Sequence, residues 1–242
     1  MLGGRRERMR AATVAEISRT ARRLLVEEGT EAVTLRAIAR EMGMTAPALY
    51  RYFPSRGDLV RHLVGDLYDD LTDALEARIE EMAAADIEIR FRAVAGRFRR
   101  WALDHPREYG LIFGAPLPQP ERHDADDHAH DHADECGHRF SLVFMRLFTE
   151  LWLRKPFPVV PDQDIDPGLR AQLASYRDHV REHEGNLLPP LPLGCLLVYL
   201  RCWVLLQGAV SLEVFGHLDF ALTDPEPLFE LTLDDIAVRL GL

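Results

Sequence analysis

The sequence predicts an all-α protein in which a small N-terminal domain of three helices precedes a larger helical domain. Two observations support this fold class. Apolar residues recur every three or four positions along most of the 242 residues, which is the period of an amphipathic helix. No run shows sustained alternation of apolar and polar residues, so we expect no β-sheet. We place the small domain in residues 1–62 and the larger one in residues 63–242.

The small domain is predicted to begin with a basic arm in residues 1–9, followed by a helix from about Arg10 to Glu28. A second helix is indicated by apolar residues at helical spacing, namely Leu35, Ile38, Ala39 and Met42. Thr34 precedes this row and is a suitable N-cap, because its hydroxyl can accept a hydrogen bond from a free backbone amide. Gly43 follows the row and suits the left-handed conformation that ends many helices.

A third helix is predicted to start at Thr45, and Pro47 is tolerated in its first turn because no intrahelical hydrogen bond is lost there. In this register Leu49 and Phe53 point inward. Two short helices joined by a tight turn are the layout of a helix-turn-helix, whose second helix enters the major groove of DNA. A purely structural helical hairpin is the alternative interpretation.

The end of this segment carries a recognisable signature. Residues 48–59 read ALYRYFPSRGDL and resemble the LYxYFxxKxxL motif of the TetR family of bacterial transcriptional repressors, with Arg56 at the position of the usual lysine. The upstream helix matches as well, through Ile17, Ala21, Leu24 and Leu25 and the pairs Glu28-Gly29 and Val33-Thr34. The resemblance implies a DNA-binding domain on a dimeric, ligand-responsive regulator.

The charge distribution fits a DNA partner, although the formal net charge of −10 at first argues against one. Residues 1–62 hold 12 arginines and 7 acidic residues, whereas the other 180 residues hold 17 basic and 32 acidic residues. A basic N-terminal domain (residues 1–62, called the head below) joined to an acidic larger domain is typical of a protein that contacts DNA at one end only.

The resemblance also implies which residues contact DNA. Phosphate-contacting roles fall on Thr34, Tyr50, Tyr52 and Arg56, and base-reading roles on Arg36, Thr45, Ala46, Pro47 and Arg51. The side-chain chemistry agrees, because arginine can pair with guanine, threonine with either base edge, and alanine or proline with a thymine methyl group. Tyrosine hydroxyls can reach phosphates. The alternative for Tyr50 and Tyr52 is that they partly pack the domain itself.

In the larger domain, Ser55 and Asp58 form a predicted capping box at the start of a long helix that runs to about Met82. Its apolar residues repeat every four positions: Leu59, Leu63, Leu67, Leu71, Leu75 and Ile79. Further helices are predicted over residues 87–103, 137–154, 167–184, 193–214 and 225–240, with prolines between several of them. Between the first two of these, residues 109–114 show only a short apolar segment.

The larger domain has a second resemblance. Residues 105–114 and 203–213 are similar to the WHG-type C-terminal domain of some TetR-family regulators, although that pattern usually has histidine where this chain has Gln207. The resemblance implies a pocket for a small-molecule effector. The candidate lining residues are the aromatic side chains Trp101, Tyr109, Phe113, Phe144, Phe148, Trp152, Tyr199 and Trp203. At helical spacing, such residues are alternatively part of the core.

Dimerisation is expected to come from the larger domain, because specific binding generally needs two heads spaced by helical turns of DNA. The helices over 167–184 and 193–214 are the natural pair for a four-helix interface, as in the family. Small residues in the second of them, Gly208, Ala209 and Ser211, permit close approach. The alternative is that this apolar helix is buried within its own subunit.

The tract 121–138, ERHDADDHAHDHADECGH, supports a competing hypothesis. Its histidines are His123, His128, His130, His132 and His138, among five aspartates, two glutamates and Cys136. Imidazole and carboxylate groups bind zinc, nickel or copper, so the tract could make the protein a metal-responsive regulator. Because prolines flank it, we expect a mobile loop, and such tracts also occur as solvated segments without metal function.

Other classes of protein are disfavoured. Cys136, Cys195 and Cys202 are too few for a disulfide framework, and the last two are expected to be buried core thiols. No secretory signal is evident, and the apolar stretch 196–210 is shorter than the ~20 residues of a membrane span. We find no phosphate loop, nucleophile elbow or HExxH motif, so we expect no enzyme and no cofactor.

The sequence therefore predicts a cytoplasmic, ligand-responsive regulator of transcription whose partners are double-stranded DNA, a small-molecule effector and a second copy of the chain, with no membrane. The favoured form is a repressor that binds a palindromic operator as a homodimer and is released by a small, largely apolar inducer. The alternative is metal-responsive regulation through residues 121–138.

Overall fold

The computed structural model describes residues 3–118, 132–184 and 191–242, and within these ranges it contains helices and no strands. The all-α prediction is confirmed. The ten α-helices of this part of the chain are α1 Gly3–Glu28, α2 Leu35–Glu41, α3 Ala46–Tyr50, α4 Arg56–Glu81, α5 Ile87–Asp104, α6 Pro106–Phe113, α7 His132–Arg154, α8 Pro167–Glu184, α9 Leu193–Val214 and α10 Glu226–Arg239. Short 3₁₀ turns cover Thr30–Ala32 and Asp162–Asp164.

The chain divides into two compact units. The first unit contains the residues up to Asp73 and those from Asp104 to Phe140, and the second contains residues 74–103 and 141–242. The helices α4 and α7 each contribute residues to both units. The division is therefore discontinuous in sequence, and it adds residues 104–140 to the unit that holds the first three helices.

The core of the first unit follows the apolar pattern of the sequence. Ile17, Ala21, Leu24 and Leu25 of α1 are each at most 1% exposed, and so are Ile38 of α2 and Leu49 of α3. The row of leucines along α4 is equally buried from Leu59 to Leu75. Because four residues turn slightly more than one full turn of an α-helix, the buried row winds gradually around α4 by about 40° per step.

Two helix starts and one additional helix differ from the sequence-based expectation. The helix α1 already begins at Gly3, so the expected arm is wrong for residues 3–9, where arginine, glutamate and methionine are good helix formers. The helix α7 begins at His132, so part of the predicted loop is helical, with Asp134 and Glu135 favourably placed in its positive first turn. Pro106 starts the additional helix α6, because proline is tolerated at a first helical position.

The second unit is organised around α9, against which both α8 and α10 pack. At 22 residues and a mean hydropathy of 1.7 in its most apolar window, α9 is long and apolar enough to cross a membrane. However, its residues Cys195, Tyr199, Cys202 and Leu206 are buried among neighbouring helices of this unit. Packing within this unit therefore accounts for part of its apolar character.

A buried ion pair joins α5 to α9 in the second unit. Both Nε and Nη2 of Arg99 lie 2.7 Å from the carboxylate oxygens of Glu213, and the two side chains are 12% and 8% exposed. The Arg99 guanidinium also lies over the ring of Phe229 in α10, 5.1 Å from its centroid. Arg99 also lies 3.6 Å from Glu226, so Glu213 would lose its counterion if Arg99 were removed, which typically costs about 3–5 kcal/mol for a buried pair.

All three cysteines are free and buried. Burial raises the pKa of Cys195 to about 12 and the pKa of Cys202 to about 11. Both groups are thiols at neutral pH, and the thiolate is the reactive form of cysteine. The interpretation of Cys195 and Cys202 as core residues is therefore confirmed.

Candidate nucleic-acid interface and effector cavity

The helix α2 is held in place by the two end signals that its sequence contains. Thr34 has an extended backbone, and its hydroxyl accepts a hydrogen bond from the amide of Ala37 at 3.1 Å. At the other end, Gly43 has a φ of 64°, and the amide of Met44 donates to the carbonyl of Ala39 at 2.8 Å. Glycine adopts this left-handed conformation without steric cost, which permits the tight turn into α3.

The helix α3 is short and turns its apolar side inward. Leu49 is fully buried and Phe53, which follows the helix, is 6% exposed. Thr45 precedes α3, but its side chain does not cap the helix. The exposed side chains of this segment are those of Thr45, Pro47, Tyr50 and Arg51, and Ala46 and Tyr52 are half-buried. A short helix with small and polar residues at its start is suited to entering a groove of DNA.

The exposed face of α2 and α3 carries three arginine side chains that could contact DNA. Arg36, Arg40 and Arg51 are exposed, and within the described residues none of them forms an ion pair or a side-chain hydrogen bond. The neighbouring Glu41 is paired with Arg23 of α1 at 2.8 Å, so its charge is partly compensated. This arrangement leaves net positive charge on the surface beside α3, where phosphates would be attracted.

Arg56 has a different environment from the other predicted contacts. Its Nε donates a hydrogen bond to the carbonyl of Val33 at 2.8 Å, and its Nη2 donates to the carbonyl of Thr30 at 2.7 Å. These two bonds connect the start of α4 to the turn that precedes α2. The capping box at the same helix end is confirmed, with Ser55 and Asp58 exchanging side-chain to amide hydrogen bonds of 3.1 Å each.

A basic surface at the start of α1 was not among the predicted DNA contacts. Arg5, Arg6, Arg8 and Arg10 are all exposed on this helix. The guanidinium of Arg10 lies 5.4 Å from the centroid of the ring of Tyr52, which follows α3. The sequence signal for these residues is the run RRERMR, whose helical continuation into α1 places it beside the helix-turn-helix.

Comparison with known proteins supports the interpretation of α2 and α3 as a helix-turn-helix. Residues 17–63 match the model of bacterial regulatory proteins of the tetR family, and residues 91–236 match a tetracyclin repressor-like C-terminal domain. This chain belongs to the TetR family. It is a DNA-binding transcriptional regulator with a helix-turn-helix head, and it is not an enzyme.

Individual relatives agree with this assignment. An HTH-type transcriptional regulator of Mycobacterium tuberculosis is 30% identical over 232 residues, which are 94% of this chain and 92% of that protein. A crystal structure of the regulatory protein SCO4313 is 31% identical and superposes with a TM-score of 0.67, covering 95% of this chain and 97% of that one. A TetR/AcrR-family regulator from Thermobifida fusca shares the fold at 18% identity and a TM-score of 0.51, covering 93% and 96%.

The eight aromatic residues predicted to line an effector pocket are divided between the two units. Tyr109 and Phe113 belong to the first unit, and the other six belong to the second. There, four of them surround a cavity of only about 20 Å³, whose lining is Phe91, Phe144, Phe148, Tyr199, Cys202, Trp203 and Leu206. Trp101 is buried, and Trp152 packs edge-on against Phe157. A space of this size holds about one water molecule.

A larger cavity in the second unit has a volume of about 420 Å³. Its lining residues are Glu76, Ile79, Glu80, Arg90, Val143, Arg146, Leu147 and Glu150, which lie on α4, α5 and α7. Arg90 is paired with Glu150 at 2.7 Å, while its buried Nε has no hydrogen-bond partner among the described residues. The volume is in the range of small-molecule sites, and sequence reasoning missed it because most of its residues are charged.

Two of the five predicted metal ligands, His132 and His138, lie in the described part of the chain. His123, His128 and His130 lie outside the described residues. His132 is the first residue of α7, and His138 lies on the same helix six residues later. Within the described part of the chain, the groups of side chains that could share an ion include His132 and do not include His138.

The environment of Arg56 generates a prediction about the free energy of unfolding. We expect Arg56→Ala to lower it by about 1–2 kcal/mol, because two hydrogen bonds to backbone carbonyls are lost. Arg51→Ala, at an exposed position without a partner among the described residues, should change it by less than about 0.5 kcal/mol. Chemical denaturation followed by circular dichroism measures both variants.

Arg56→Lys is the control for charge. It keeps the cation but lacks the planar fork that reaches both carbonyls, so it should fall between the wild type and Arg56→Ala. Equal stabilities of Arg56→Ala and Arg51→Ala would show that the two hydrogen bonds do not stabilise the head.

Proposed function

We propose that this TetR-family regulator is a repressor that binds a palindromic operator as a homodimer and is released by a small molecule. The observation that carries the proposal is the exposed face of α2 and α3, where Arg36 and Arg51 have no intrachain partner among the described residues. Unpaired arginines have no structural role on such a surface, and they are the side chains that most often read guanine in the major groove.

The nine predicted DNA contacts form this proposed interface. Base-reading roles are assigned to Arg36, Thr45, Ala46, Pro47 and Arg51, and phosphate contacts to Thr34, Tyr50, Tyr52 and Arg56. The hydroxyl of Thr34 and the guanidinium of Arg56 already form intrachain bonds, so we infer that these two residues act mainly by shaping the head. The exposed arginines at the start of α1 are added to the phosphate contacts.

A dimer is proposed because the second unit exposes large apolar side chains. Val204 and Leu212 of α9 are 68% and 45% exposed, and Leu231 and Val238 of α10 are 61% and 77% exposed. Gly208 lies between the two α9 positions, with open space where a side chain would be. We therefore propose that α9 and α10 of two copies form a four-helix interface around a two-fold axis.

The proposed pair replaces the α8–α9 pair expected from the sequence. The exposed surface of α8 is mostly polar, and Leu169 at 36% is its only large apolar residue that is exposed in the described part of the helix. A stable interface of two copies requires a contiguous apolar core, and α10 supplies one where α8 does not.

An effector site is proposed in the 420 Å³ cavity of the second unit rather than in the aromatic cluster. Ile79, Val143 and Leu147 offer apolar contacts, and the charged side chains of the lining offer polar ones. The ligand that fits this lining of three glutamates, two arginines and three apolar residues is a small amphipathic molecule with polar groups. This proposal changes the expected inducer from largely apolar to amphipathic.

The route from effector to DNA is proposed to be α4. Glu76, Ile79 and Glu80 of this helix line the cavity, and its first residue is Arg56, which is bonded to the turn before α2. A ligand that fits only one position of α4 shifts the protein away from the DNA-binding state. Moving the population from mostly bound to mostly free takes roughly 5 kcal/mol of differential affinity.

Two further points complete the proposal. We propose a cytoplasmic location, where a bacterial transcriptional regulator meets the chromosome. The metal-responsive alternative based on residues 121–138 gains no support from the relatives, and most of its histidines lie outside the described residues.

Selection of bound fragments from random double-stranded DNA tests operator binding. It should return a palindrome, because a two-fold symmetric dimer presents two equal heads. Arg36→Ala and Arg51→Ala should each lose about 1–3 kcal/mol of discrimination at particular base positions, measured by competition binding. Arg181→Ala on α8, also an exposed arginine, is the control and should leave the selected sequence unchanged. Recovery of sequences without symmetry would contradict the proposal.

Sedimentation velocity tests the dimer. We expect Val204→Asp and Leu231→Asp to produce monomers, because each introduces a charge into the proposed apolar contact. Leu169→Asp on α8 is the matched control and should remain dimeric. If Leu169→Asp dissociates while the α9 and α10 variants stay dimeric, the interface lies on α8 instead.

Thermal unfolding in the presence of a set of small amphipathic molecules tests the effector site. A ligand at 100 times its Kd should stabilise the protein by about 2.7 kcal/mol. Ile79→Trp, which fills the large cavity, should abolish this stabilisation and the release of DNA. Cys202→Met, which fills the small aromatic cavity, should preserve both. The reverse result would move the effector site to the aromatic cluster.

A further inference from the structure

Three metal-ligating side chains of the first unit converge outside the proposed DNA-binding face. His62 and Asp66 lie one turn apart on α4, and His132 is the first residue of α7. One ligand atom from each lies within 4.8 Å of the other two. Residues at positions i and i+4 of a helix are neighbours on the same side, so α4 presents its histidine and its carboxylate together.

The distances are close to those of a first-row metal site. His132 Nε2 lies 2.9 Å from Asp66 Oδ1, and His62 Nε2 lies 3.9 Å from Asp66 Oδ2. Metal–ligand bonds of about 2.0–2.1 Å in a tetrahedral zinc site place the ligand atoms roughly 3.3 Å apart. The observed separations lie on either side of this value. Binding one ion would require the three side chains to rotate so that these separations become more equal.

The backbone of α4 is adapted to the His132 ring. A Cβ atom at Gly65 would lie 2.7 Å from His132 Nε2, which is closer than real side chains approach. Only glycine at this position lets the imidazole rest directly against the helix, next to Asp66. The two imidazole rings lie 4.8 Å apart between their centroids. A surface ion pair of Asp66 and His132 alone would not require the second histidine.

Neighbouring groups orient the three side chains. The Ser18 hydroxyl is hydrogen-bonded to Asp66, and the Cys136 Sγ lies 3.4 Å from Nδ1 of His132, the ring nitrogen that faces away from Asp66. Metal-binding histidines and carboxylates generally have such outer partners, which fix the ring and the carboxylate in position. The side chains of His62, Asp66 and His132 are 25%, 39% and 34% exposed, so an ion can enter from solvent.

We propose that His62, Asp66 and His132 form a binding site for a divalent first-row metal ion of the Zn²⁺ class, with a fourth position open to water. Two imidazole nitrogens and one carboxylate oxygen suit such an ion better than Mg²⁺ or Ca²⁺, which prefer oxygen ligands only. The bound ion clamps the start of α7 to α4. Because the ring of His62 packs against that of Phe53, 5.2 Å between centroids, the clamp lies beside the core of the head.

This site differs from a metal-binding low-complexity tract in its requirement for α4. The tract contributes one ligand, His132, and the other two ligands come from about 70 residues earlier in the chain. The proposal does not depend on the operator or on the effector, so its test uses metal binding and stability alone.

Titration calorimetry of the full-length, untagged protein with ZnCl₂ tests the proposal. We expect one tight site per chain, and His62→Asn and His132→Asn should each weaken it by at least about 100-fold, since even outer-shell changes cost 10–100-fold. The triple variant His123→Asn, His128→Asn and His130→Asn is the matched control and should keep the tight site. Circular dichroism of the metal-free variants verifies that each is folded.

Substitution with Co²⁺ tests the ligand identities. Imidazole and carboxylate ligands should give visible bands without the sulfur-to-metal charge-transfer band of a thiolate ligand. A charge-transfer band that disappears in Cys136→Ser would assign the ion to Cys136, Asp69 and His132 instead, the second group that shares His132, and would overturn the proposed ligand set. Unchanged zinc affinity in His62→Asn, or loss of the tight site in the triple variant, would overturn the site itself.

Discussion

The buried row of leucines along α4 is the constraint on which the rest of the molecule depends. Leu59, Leu63, Leu67, Leu71 and Leu75 are each at most 1% exposed. Burying one leucine side chain is worth about 1.5–3 kcal/mol, so rotating the helix about its axis would expose several of them together at a large cost. The row therefore fixes which side chains α4 presents: Arg56 toward the turn before α2, His62 and Asp66 toward α7, and Ile79 toward the larger cavity.

Features that depend on nearby residues could be predicted from the sequence. The cap at Thr34, the left-handed Gly43 and the box of Ser55 and Asp58 each involve partners within a few positions, and each is present. The inward position of Leu49 follows from helical periodicity in the same way. The partners of Arg56 could not be predicted, because the carbonyls of Thr30 and Val33 reach it only after α4 folds back beside the head.

The proposed effector cavity and the proposed metal ligands show what a local sequence pattern cannot predict. Trp101 and Tyr199 have the same periodicity in the sequence as core residues, and both are buried, so spacing cannot distinguish a lining residue from a filler. Cavity volume depends on how whole helices pack, which no local pattern encodes. Likewise, the histidines of residues 121–138 are neighbours in sequence, whereas the proposed metal site combines His132 with a histidine of α4 about 70 residues earlier in the chain.

The ligands proposed to bind along α4 can change one another's binding free energies, because they contact the same helix. The proposed effector contacts its C-terminal part, the proposed metal ion binds its N-terminal half, and the head adjoins its first residue. If two of these ligands each prefer one position of α4, linkage requires each to change the binding free energy of the other by the same amount. A typical coupling of 1–3 kcal/mol corresponds to about 5–150-fold in affinity. A single helix with a fixed rotational register is therefore sufficient to couple several ligands, without a separate contact between their sites.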